Sequence, residues 1–77
     1  MNKSRRAAID TIARQLEGIR DEIESLKDDE QSAFDGMPEG LQRSERGGQS
    51  EAAIDALSSA VSDLETAIAD LEEAVTE

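Results

Sequence analysis

A chain of 77 residues has room for one small domain, and chains this short bury only about 60% of their unfolded surface, so they lean on a staple or a partner. With no cysteine and no histidine, disulfides, zinc sites built on those residues and a histidine general base are excluded, and Phe34, the sole aromatic side chain, leaves little for base stacking. Nineteen acidic against eight basic residues give a net charge of −11, which excludes direct binding to nucleic acid or an anionic membrane and favours attraction to a basic protein surface.

After Met1 to Ser4, apolar residues recur at alternating spacings of three and four: Ile9, Ile12, Leu16, Ile19, Ile23 and Leu26, with Ala33 further on at the same period. That spacing predicts an amphipathic helix from about residue 4 to about residue 34, capped by Ser4 or Asn2. Gly18 falls on its outer face, and Glu30 weakens the seam toward the end of the helix. The next stretch, DGMPEGLQRSERGGQ, holds the only proline and four of the five glycines, the composition of a connection over about residues 35–44. Met37 and Leu41 are expected to fold back and close the end of the core. Ser44 followed by Glu45, or alternatively Ser50 followed by Glu51, starts the second helix.

That second helix, expected over about residues 45–76, has the stronger pattern. Ile54, Leu57, Val61, Leu64, Ile68, Leu71 and Val75 form an unbroken heptad seam, and Ala53, Ala60, Ala67 and Ala74 run beside it as a stripe of small side chains. Every charged residue from Glu51 to Glu77 is acidic. No apolar run approaches membrane-spanning length, and MNKSRRAAID lacks the apolar core of a secretory signal. The expectation is a cytoplasmic protein, without membrane contact, that forms a single all-α domain.

Two heptad helices and a short connection predict an antiparallel helical hairpin of coiled-coil type. Its six layers are Ile9 with Leu71, Ile12 with Ile68, Leu16 with Leu64, Ile19 with Val61, Ile23 with Leu57, and Leu26 with Ile54. A slip of one heptad is the alternative, and it sets Glu30 against Leu57. The preferred register places Arg6 near Glu72 and Lys27 near Glu51. Two helices leave each seam half covered, so dimerisation into a four-helix bundle is expected, with Ala53, Ala60, Ala67 and Ala74 as the contact between copies. Beta-branched and leucine residues alternate along the seam as in parallel two-stranded coils, so pairing of the second helix with its own copy stays open.

Acid clusters such as Asp21, Glu22 and Glu24 read as solvated helix faces. There is no calcium loop and no phosphate loop, and the serines have no histidine to activate them, so the chain is expected to be no enzyme and to carry no metal or cofactor.

The block FDGMPEGLQRSERG, followed by the acidic heptad helix EAAIDALSSAVSDLETAIADLEEA, resembles short helical proteins encoded by tailed bacteriophages and prophages. The resemblance implies a phage-encoded protein and supplies no mechanism. Met37, Leu41, Arg43 and Arg46 in that block read as either a partner-binding tip or a cap on the hairpin. The functional expectation is an acidic module that binds, through Glu65, Asp70, Glu72 and Glu73, a basic surface of a host protein and inhibits it. The alternative is a self-associating assembly protein.

Overall fold

The computed structural model describes residues 1–76, which are helical throughout apart from short joints. Helix α1 runs Lys3–Asp35, α2 Glu39–Gln42 and α3 Glu45–Val75. The molecule measures 58 × 14 × 12 Å, and α1 and α3 pack along their lengths. Ser50 donates a hydrogen bond to Glu30 at 2.8 Å, and Arg14 lies 3.8 Å from Glu72, so later residues of α3 sit beside earlier residues of α1. The arrangement is hairpin-like.

The ends of the helices follow from local chemistry. Asn2 caps α1, its side-chain oxygen accepting from the Arg5 amide at 2.7 Å. Pro38, with φ −55°, opens α2, and its carbonyl accepts from the Leu41 and Gln42 amides at 2.9 and 3.1 Å. Gln42 then reaches back, its side-chain amide donating at 3.0 Å to the Phe34 carbonyl in the last turn of α1, which also accepts from the Met37 amide at 3.0 Å. Ser44, not Ser50, caps α3 by accepting from the Gly47 amide, while its hydroxyl donates to the Leu41 carbonyl. Gly47 is buried where α2 ends against α3. A Cβ there would stand 2.1 Å from the Gln42 carbonyl oxygen and 2.6 Å from that of Leu41, so only glycine lets the two backbones meet this closely.

The core differs from the expected layers in one respect. Ile9, Leu16 and Ile23 are half-buried as expected, as are Ile54, Leu57, Leu64 and Leu71, with Val61 and Ile68 buried. Ile12, Ile19 and Leu26, however, are 47%, 45% and 59% exposed. The row that α1 turns toward α3 is Ile9, Ala13, Leu16, Arg20, Ile23, Lys27, Glu30 and Phe34, with Ala13 buried and the others half-buried. The correction has a physical cause. The apolar stripe of α1 is wider than one neighbouring helix can cover, and the two possible seams share Ile9, Leu16 and Ile23. The fold brings α3 against the edge that carries Ala13, whose small side chain permits close approach. Arg20 and Lys27 lie in the same row, and their long aliphatic stems suit such positions, with the charged ends directed to the rim.

Candidate interaction surfaces

The two flanks of the α1–α3 pair can be identified from what lines the clefts between the helices. A shallow groove of about 280 Å³ brings Gln31 of α1 next to Glu51 of α3, together with Phe34, Ile54 and Asp55. A second, of about 350 Å³, joins Ala33 of α1 to Arg46, Gln49 and Ser50 of α3, with Glu30 and Met37. Residues seven apart lie almost in line along a helix. The first flank therefore carries the rows Asp10, Glu17, Glu24, Gln31 and Glu51, Ser58, Glu65, Glu72. The second carries Ile12, Ile19, Leu26, Ala33 and Arg46, Ala53, Ala60, Ala67, Ala74.

The first flank is ionic. Arg14 holds Glu17 at 2.8 Å and Asp10 at 3.4 Å within α1, and reaches Glu72 across the cleft at 3.8 Å. Arg20 donates to Asp21 at 3.1 and 3.2 Å. That hydrogen bond, more than the charges of Asp21, Glu65 and Glu17, raises the guanidinium above its already high ordinary value. The Arg14 pairs are solvent-facing and contribute only about 0 to 1 kcal/mol each, so the flank orients the helices more than it binds them. Across the cleft, Glu72 thus meets Arg14 of α1.

The second flank is apolar. The expected stripe, Ala53, Ala60, Ala67 and Ala74, lies here, with Ala60, Ala67 and Ala74 half-buried and Ala53 exposed. Beside it runs the exposed row Ile12, Ile19 and Leu26, the residues whose spacing predicts a place in the core. The signal was present as apolar residues on both edges of the α1 stripe, but nothing in the one-dimensional pattern says which edge α3 takes.

The other candidate residues are dispersed. Glu65, Asp70, Glu72 and Glu73 are exposed. Of the connection residues, Met37 is half-buried in the second groove with the exposed Arg46, Leu41 is 45% exposed, and Arg43 pairs with Glu39 one turn earlier. Among the described residues no group of acids is arranged to hold a metal ion, and no helix is long and apolar enough to cross a membrane. In comparisons with known proteins, the chain matches no family model, no curated protein and no solved structure.

Proposed function

We propose that this chain is an antiparallel helical hairpin acting as a non-enzymatic interaction module, phage-encoded and at work in the bacterial cytoplasm, which docks its acidic exterior on a basic surface of a host protein and blocks it. The observation that carries this reading is the unrelieved acidity of α3: no basic residue follows Arg46, and Glu65, Asp70, Glu72 and Glu73 are all exposed. Glu72 faces Arg14, and Glu65 lies in the field of Arg20, so Asp70 and Glu73 contribute more of the outward attraction. Capture of a partner from a host lysate tests it. Binding is expected to weaken steeply with salt and to vanish when these four acids become glutamine or asparagine. Affinity indifferent to salt refutes it.

A second reading, self-association into a four-helix bundle, is favoured by the exposed Ile12, Ile19 and Leu26 on a chain in which, among the described residues, the buried apolar core is only Ala13, Val61 and Ile68. The two readings are compatible, because the row of Glu65 and Glu72 lies on the flank opposite the apolar one, and Asp70 lies on the border of the apolar flank, outside its rows of isoleucine, leucine and alanine.

A further inference from the structure

We infer that the apolar flank is covered by a second copy of this chain, in a two-fold dimer whose axis runs along the length of the molecule, so that α1 of each copy lies over α3 of its partner. The inference rests on the self-association reading and adds to it the face, the occupant and the orientation. Neither row has the make-up of a whole interface alone. The α1 row is large, Ile12, Ile19 and Leu26, whereas the α3 row is small, Ala53, Ala60 and Ala67, and both repeat every seven residues.

Within one chain the Glu30–Ser50 hydrogen bond and the groove that sets Ala33 beside Arg46 give which levels of α1 and α3 coincide, while the long Arg14 side chain reaches along the cleft to Glu72. A two-fold axis parallel to the helices keeps those levels. It brings Ile12 of one copy over Ala67 of the other, Ile19 over Ala60 and Leu26 over Ala53, a large side chain into a small-lined gap at each step. A two-fold axis across the helices stacks Ile19 on Ile19 and alanine on alanine, which leaves bulk opposed to bulk and gaps opposed to gaps. The size is also sufficient. Helices of this length and a width of 14 Å give a face of roughly 600 Å² per copy, near the lower bound for a specific dimer.

Charge sets the sign of the salt response. The outer border of the flank carries Glu22 and Asp29 on α1 and Asp63 and Asp70 on α3, and each copy has a net charge of −11. Bringing two such borders together is opposed by repulsion, so screening promotes this dimer, whereas it weakens the docking of a basic partner.

The chain has no cysteine, so introduced thiols report proximity without background. An Ile19→Cys chain mixed with an Ala60→Cys chain, under mild oxidation, should yield mainly the mixed disulfide, with little Ile19→Cys self-linked product. Sedimentation of the unmodified chain should show dimer that increases with salt, and Ile12→Gln/Ile19→Gln, which alters no charge, should weaken association at least ten-fold. A predominance of self-linked Ile19→Cys over the mixed product overturns the proposed orientation, and a dimer unaffected by the glutamine pair overturns the proposed face, each leaving self-association standing. A monomer at all salt and protein concentrations overturns both. Should the glutamine variant lose its helical circular dichroism, the disulfide ratio decides independently.

Discussion

Replacing Gly47 with alanine should destabilise the protein, whereas the same replacement one residue on, at Gly48, should stabilise it. Among the described residues no glycine or other residue adopts a positive φ, so neither position needs glycine for its backbone angles. The difference is space. At Gly48 and Gly18 nothing lies within 4 Å of the added Cβ, and alanine gains about 0.5 to 1 kcal/mol from helix propensity and a stiffer unfolded chain. At Gly47 the added carbon meets the Gln42 carbonyl oxygen at 2.1 Å and its carbon at 2.5 Å. Both are backbone, so no rotamer change relieves the overlap, and the end of α2 must retreat by about 1 Å or more.

That retreat pulls on the hydrogen bonds that the Gln42 amide donates to the Pro38 carbonyl, the Gln42 side chain to the Phe34 carbonyl and the Ser44 amide to the Leu41 carbonyl, which hold the connection together. Overpacking of this kind costs about 1 to 3 kcal/mol, and weakened hydrogen bonds add about 1 kcal/mol. Set against the propensity gain, Gly47→Ala should lose about 2 kcal/mol, a gap of about 3 kcal/mol from Gly48→Ala. For a domain of this size that corresponds to at least about 10 °C between the two midpoints. Thermal and urea unfolding followed by circular dichroism, at one fixed chain concentration because assembly shifts apparent stability, measures the gap. Two variants moving in the same direction by similar amounts would refute the close approach of α2 to α3.

Ser44→Ala removes the cap of α3 and should cost about 1 kcal/mol, recovered in large part by Ser44→Asp; unfolding midpoints of the three proteins check it. Ser50→Ala should cost about 1 kcal/mol, toward the low side for a hydrogen bond to a carboxylate because Glu30 is only half-buried and can regain water, and a double-mutant cycle with Glu30→Gln should return a coupling of similar size. Arg14→Gln should change stability by less than about 1 kcal/mol, with the difference fading as salt is added, since all of its ion pairs are exposed. A larger loss at high salt would mean that Arg14 acts through packing of its stem.

The heptad spacing of Ile54 through Val75 and the cluster of glycine and proline between two periodic stretches are one-dimensional signals. They sufficed to specify two long helices, a connection between them and Ser44 as one of two possible caps. An amphipathic stripe must be buried and proline cannot continue a helix, whatever lies beyond. The sequence alone also made plain the acidity of α3, because charge is additive along a chain.

Which edge of the α1 stripe meets α3 was decided only in three dimensions. Ile12, Ile19 and Leu26 outrank Ala13, Arg20 and Lys27 in hydrophobicity, and periodicity therefore favoured them for the seam. The fold instead buries Ala13 against α3 and turns the larger residues outward, because how closely two helices approach depends on side-chain size at the contact and on the geometry of the connection. Gly47 shows the same division. Its place in a glycine-rich connection is visible in the sequence, but the crowding that leaves no room for a Cβ there exists only once α2 has folded back against α3.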